Sequence, residues 1–300
     1  MAYIFSEKLE KQFQYLTSHA NDYQEVELFT KLEDSFLCLS KDFCGHIETK
    51  IIHGTRSHVK FDMASNWVGN KGSKETVELG DMFFVTYSSM NGLIRYFVLQ
   101  NKNKNGKVKN RFKADLYQLD LLHHMSRFSG NGISNHLLQG SQEYSVAGYG
   151  VFEYKNNGKY DMNFYAAPCL DPYNSKGVSR NRMVKYAGPN SGERISLTSY
   201  VDKLKVEGLK NFGDALIKGE IGRVIDRKNR NSAFINKIQE LTMDDQRLKK
   251  FNSVLQELGN KEEDIVREQY QDIDFRNLRS MIFIDLDEQC LTCWAEEYKG

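Results

Sequence analysis

The chain has 300 residues, a formal net charge of +1, 40% hydrophobic and 27% charged residues, and three prolines. Its length and apolar content allow one large domain with a sizeable core, and so few prolines exclude a long extended linker or a disordered stalk. No apolar run reaches the length of a membrane helix, and the charged opening segment lacks a signal-peptide core, so the expectation is a cytoplasmic protein with no membrane partner.

Residues 7–18 and 24–48 read as helices. In the second, Val26, Phe29, Leu32, Phe36 and Leu39 recur at three- and four-residue steps and share one face. The pattern then changes to strands at 58–63, 76–87 and 93–101, rich in β-branched and aromatic residues, with a polar, glycine-containing loop at 66–74. Met90-Asn91-Gly92 is a tight-turn signal, so 76–87 and 93–101 are expected to pair as an antiparallel hairpin. A helix is expected at 114–128, with Leu116, Leu119 and Leu122 as its seam. Strands follow at 144–154 and 162–167, joined by the turn Asn156-Asn157-Gly158. Helices are expected at 196–217, 231–258 and 261–278, and a last apolar run at 281–286 reads as an edge strand. The sum is one α/β domain over 1–300: a core at 25–168 with a central mixed sheet flanked by helices, and a mainly helical C-terminal extension at 196–300 packed on it.

The chemistry concentrates in the hairpin. Its first strand carries Gly80-Asp81, and its second ends Leu99-Gln100-Asn101-Lys102 after a run of hydrophobes. Residues two apart on a strand share a face, so Gln100 and Lys102 point the same way, and Asp81 can stand at the same level of the neighbouring strand. Phosphodiester hydrolysis needs a hard cation to neutralise phosphoryl charge and acidify a water. Magnesium takes oxygen ligands, one or two of them carboxylates. Asp81, the Gln100 carbonyl and the main-chain carbonyl of Asn101 are such oxygens, and Lys102 offers a positive charge for the developing oxyanion. The catalytic candidates are therefore Asp81, Gln100 and Lys102, and the metal candidates are Asp81, Gln100 and Asn101, with Mg²⁺ or Mn²⁺ as cofactor.

Gly80-Asp81 followed by an apolar strand ending Gln100-Asn101-Lys102 resembles the PD-(D/E)XK, restriction-endonuclease-like nuclease superfamily. It is most similar to the variant in which glutamine stands before the lysine, as in Mrr-type enzymes. The resemblance spans roughly residues 25 to 168. It implies acid and lysine on neighbouring strands with a helix after them, Mg²⁺-dependent endonuclease activity on nucleic acid, DNA in the first instance, and a role in restriction or antiviral defence with a partner protein or a homo-oligomer. It also implies auxiliary roles for Gln118 on the following helix and for an upstream carboxylate, with Glu33, Glu48 and Glu78 as candidates. The alternative is a catalytically inactive protein of the same fold that binds nucleic acid or a partner subunit.

Residues 101–113 hold Lys102, Lys104, Lys107, Lys109, Arg111 and Lys113 and no acid, and a second basic stretch holds Lys176, Arg180, Arg182 and Lys185. Lysine and arginine neutralise phosphates and release counterions, so both stretches are candidate nucleic-acid contacts. Such residues grip backbone rather than read bases. Tyr149 and Tyr173 offer rings for stacking on unpaired bases. The adjacent His123 and His124 make a poor chelating pair on a helix, and the expectation is that one packs while the other faces solvent. Gly148 and Gly150 form a bare GxG without a dinucleotide fingerprint. Cys290 and Cys293 have a CxxC spacing, but a zinc site prefers two compact pairs and the six-residue step from Cys38 to Cys44 is too loose, so the cysteines read as ordinary thiols.

Overall fold

A computed structural model describes residues 3–43, 46–51, 58–104, 111–124, 128–129, 147–172, 179–186, 205–225, 238–239, 242–258 and 280–287. Within them, helices α1 (Ile4–Leu16), α2 (Glu25–Asp42), α3 (Leu116–His124), α4 (Leu209–Ile217) and α5 (Lys249–Glu257) surround three sheets. The strands are β1 (Ile47–Ile51), β2 (His58–Asp62), β3 (Lys74–Glu78), β4 (Met82–Ser88), β5 (Leu93–Asn103), β6 (Arg111–Asp115) and β7 (Phe128–Ser129), followed by β8 (Ala147–Tyr154), β9 (Tyr160–Ala166), β10 (Leu170–Pro172), β11 (Asn181–Tyr186), β12 (Lys205–Val206), β13 (Arg223–Val224) and β14 (Ser280–Asp285). The main sheet is eight-stranded and mixed, in the order β1-β14-β4-β5-β8-β9-β12, with β13 also on β5. Two three-stranded sheets, β10-β11-β6 and β3-β2-β7, stand apart from it.

One face of the main sheet presents Met82, Phe84, Phe97, Leu99 and Phe164 to α1, α2 and α4. The other presents Phe83, Val85, Tyr96, Val98 and Tyr149 to α3, α5 and the small sheets. Covered on both faces, β4 is buried along its whole length, which is why Met82–Ser88 does not alternate polar with apolar. The β4–β5 hairpin forms as expected, with Met82 opposite Leu99 and Phe84 opposite Phe97. Those two rings stack with centroids 4.7 Å apart, a cross-strand contact that holds the register.

Several expectations change. The apolar seam of α2 is real, but the helix stops at Asp42, and Ile47–Ile51 continues as a strand. The run 76–87 is two strands broken at Leu79–Asp81, with β3 in a different sheet from β4. Arg111–Asp115 is strand β6 rather than loop. Residues 280–285 form no edge: β14 is buried throughout and lies between β1, to which it is antiparallel, and β4, to which it is parallel. The C-terminal part is accordingly not a purely helical addition, since it supplies an interior strand as well as β12 and β13. The helix expected at 261–278 lies outside the described residues, as do Cys44, Cys290 and Cys293. Cys38 and Cys169 are free thiols.

Both histidines of the adjacent pair pack. Trp67 sits against them, with ring centroids 5.1 Å from His123 and 5.2 Å from His124. Asp120, one turn earlier on α3, accepts from the backbone N–H groups of Ala64 (2.8 Å) and Ser65 (2.9 Å), tying that loop to the helix. Gly148 and Gly150 answer a packing need: a Cβ at 148 would stand 2.3 Å from the Phe164 ring, and one at 150 would stand 2.7 Å from Met162 Sδ.

Two outcomes follow. Gly148→Ala should destabilise the fold by roughly 1–3 kcal/mol through overpacking, read as a lower urea midpoint at unchanged slope. Burial, with His124 adding to it, holds His123 down to about 4, against the pull of Asp171 and Asp120. Its unfolded form therefore binds more protons below the ordinary histidine value, and stability should fall as pH drops from about 6.5 toward 4, by as much as about 3 kcal/mol. Urea titrations followed by tryptophan fluorescence at pH 7 and pH 4.5 check this, and His123→Phe should remove most of the drop.

Candidate active site

Strand β5 outlasts its neighbour. It continues through residues 100–103 beyond the point where β4 begins at Met82, while β8 pairs with it on the other side from Val98 to Asn103. On the side that β4 leaves open, backbone N–H groups of the overhang need other acceptors. Two carboxylates supply them. Asp81 Oδ2 accepts from Asn101 N at 2.7 Å, and Glu25 Oε2 accepts from Asn103 N at 3.2 Å. Gly80 allows the approach, because a Cβ there would stand 2.3 Å from Val98 Cγ1. Asp81 N in turn donates to Leu99 O at 3.0 Å, so the chain enters β4 already paired.

The side chains of Gln100 and Asp81 meet as the hairpin register predicts. Gln100 Nε2 donates to Asp81 Oδ2 at 2.8 Å, and Gln100 Oε1 accepts from Gln118 Nε2 at 2.6 Å. Gln118, on the first turn of α3, also donates to Glu78 O at 2.9 Å. Lys102 Nζ is bound to Glu25 Oε1 at 2.7 Å. Glu25 is the first residue of α2, whose start is held by a reciprocal capping box between Gln24 and Glu27. A carboxylate is also favoured at that end of the helix dipole.

Together these groups line a cavity of about 350 Å³ walled by Glu25, Glu78, Asp81, Gln100, Lys102 and Gln118, with Asp115 and Arg180 on its far side. Arg180 is paired to Asp115 at 2.7 Å and lies over the Tyr117 ring. That pairing, together with burial, which opposes it, and the further negative groups around it, leaves the Arg180 guanidinium above its ordinary value.

Of the candidates, Asp81, Gln100, Lys102, Gln118 and Glu78 come together here. Glu33 and Glu48 do not line the cavity. Glu33 lies two turns further along α2, and Glu48 is on β1, paired with Arg247 at 3.0 Å. Glu25 does line the cavity, and no periodicity or spacing marks it, because only the docking of α2 on the end of β5 brings it near Lys102.

The basic stretches divide. Lys104 is bound to Glu153 at 2.6 Å and is only 17% exposed, so it is spent inside an ion pair. Lys107 and Lys109 lie outside the described residues. Arg111 and Lys113 share one side of β6, and the register sets Lys185 of β11 beside Arg111. Their opposite side buries Phe112, Ala114 and Val184. The outward strip ends at Asp115 and Asn181, on the cavity wall. Arg182 faces the other side of β11, with its Nε donating to Ser179 O at 3.0 Å. Tyr149 is fully buried and packs on Phe112, so it stacks on no base; Tyr173 lies outside the described residues.

The donor set suits a hard cation: carboxylate, carboxamide and carbonyl oxygens, with no thiol and no imidazole on the cavity wall among the described residues. Among the described residues no three acidic, histidine or cysteine side chains stand close enough to hold a metal by themselves. A cation here would rest on one or two carboxylates and complete its shell with water and phosphate, which is the habit of magnesium. The Asn101 carbonyl opens on the same side as its N–H, toward Asp81, and accepts only a 3.3 Å contact from Gln100 Nε2. The Gln100 oxygen is turned to Gln118, so it would join a cation only by rotation of the carboxamide.

No family model, curated protein or solved structure matches the chain.

Gln100→Glu should place a second carboxylate against Asp81. One of the two would then titrate above the usual carboxylate range. The folded state gains from that proton at low pH and loses the gain as pH rises, so the deficit against the natural chain should widen from pH 4 to pH 8, to about 1–3 kcal/mol. Urea titrations across that range check it, and added Mg²⁺ should narrow the deficit.

Proposed function

We propose that this chain is a Mg²⁺- or Mn²⁺-dependent nuclease of the restriction-endonuclease-like kind, acting on DNA, with Asp81, Gln100 and Lys102 at its active site and Glu25 as a further acid. The observation that carries the reading is the convergence of Asp81, Gln100 and Lys102 on one cavity at the end of β5. The order of elements adds support: an acid at the start of β4, the glutamine–lysine pair at the end of β5, then α3, then β8 parallel to β5.

A divalent cation, when bound, neutralises phosphoryl charge and acidifies the attacking water. Asp81 and the Asn101 carbonyl would hold it, with Gln100 joining once its carboxamide turns. Lys102 donates to a phosphoryl oxygen as negative charge grows there, and Glu25 keeps the ammonium aimed into the cavity until substrate competes for it. Arg180 grips a neighbouring phosphate. The strip of Lys185, Arg111 and Lys113 draws the polyanion toward the opening, and this attraction weakens with salt. Work in restriction or antiviral defence, alone or with a partner protein, fits such an activity.

A second reading, a protein of this fold that binds nucleic acid without cutting it, is favoured by one detail, the Gln100 amide group pointing at Asp81.

Incubating the purified chain with plasmid, single-stranded DNA and RNA, with and without Mg²⁺ or Mn²⁺, separates the two. The nuclease reading expects cation-dependent cleavage that falls about a hundredfold or more in Asp81→Ala and Lys102→Ala, while gel-shift binding persists in Asp81→Ala. Binding without cleavage under every condition would establish the second reading.

A further inference from the structure

Tyr149 stands on β8 directly opposite Gln100 in the parallel register, so its side chain leaves the sheet on the same side. It is completely buried, with its ring 5.5 Å from that of Phe112. Its hydroxyl has no hydrogen-bond partner among the described residues. A buried hydroxyl left so costs on the order of 1–3 kcal/mol, and phenylalanine would fill the same space without that cost. The carboxylates that act on it are Asp115, Asp81 and Glu25, and all three line the cavity. Burial first, and then these three charges, raise the phenol well above its ordinary value, so the group keeps its proton and serves as a donor.

What lies between a donor and carboxylates beyond its direct reach is most simply a water. Such a molecule accepts from Tyr149 Oη and donates to Asp81 and Asp115, which gives it the two to four polar partners a fixed water needs.

We propose that Tyr149 seats a water between its hydroxyl and the cavity carboxylates Asp81 and Asp115, and that this is the water that attacks phosphorus. The second half rests on the nuclease reading. In the step, the water oxygen bonds to phosphorus and the bond from phosphorus to the leaving ester oxygen breaks. One water proton passes to a carboxylate, and the departing oxygen takes a proton from solvent. Once that proton has passed to a carboxylate, the attacking oxygen has three lone pairs: one accepts from Tyr149, one is aimed at phosphorus, and the third would remain for the cation when it is bound, so Tyr149 is a water-positioning residue.

Two measurements on the full chain test this. A high-resolution crystal structure should show an ordered water at about 2.7 Å from Tyr149 Oη and within hydrogen-bond reach of Asp81 or Asp115. A hydroxyl bonded to protein instead, or facing no water, overturns the proposal. In steady-state cleavage, Tyr149→Phe should lower kcat about tenfold with KM and melting temperature unchanged. A variant that cleaves at the natural rate overturns the catalytic half. If the natural chain cleaves nothing while the water is in its seat, the nuclease reading fails and the seat stands.

Discussion

The overhang of β5 past β4 leaves a short row of backbone N–H groups on an open edge inside the protein, and a buried N–H must find an acceptor. Here the acceptors are Asp81 and Glu25, each holding one rung where a strand would otherwise lie. The same bonds that satisfy the backbone fix two acids at the mouth of the sheet. Lys102, between the two rungs, completes an ion pair with one of them. The cavity is thus the space a strand would have filled, walled by the groups that replace it.

Rigidity comes from both layers. Phe84 and Phe97 stack beneath the site, and α2 brings Glu25 in by its capped first turn while its apolar side packs on the sheet. On the other face Gln118 reaches from α3 to Gln100 and to the Glu78 carbonyl. The carboxamide of Gln100 is consequently held at both ends. A glutamate there would put like charges together, which gives glutamine a structural reason to occupy the position.

Charge separates along the small sheet. Arg111, Lys113 and Lys185 face outward, whereas Lys104 is internal and paired. A lysine-rich stretch read as one basic loop therefore has members with different work, and strand formation at β6 is what sorts them.

Much was legible in the residues themselves. The apolar seam of α2, the β4–β5 hairpin about its Asn-Gly turn, and the shared face of Gln100 and Lys102 all follow from local periodicity and turn chemistry, which act over a few residues. The pairing of Asp81 with Gln100 was only a possibility in the sequence, because the turn leaves the register open; the structure supplies the register that sets Asp81 beside the end of β5. Tertiary structure decided the rest. Glu25 replaced Glu33 and Glu48 at the site because the angle at which a helix meets a strand end is set by packing over the whole sheet. The apolar run at 280–285 became an interior strand because burial on two faces looks, in sequence, like any short hydrophobic segment. Tyr149, one ring among many aromatics, acquired its place only when β8 aligned it with Gln100, a contact between strands joined by a long crossover that no local pattern encodes.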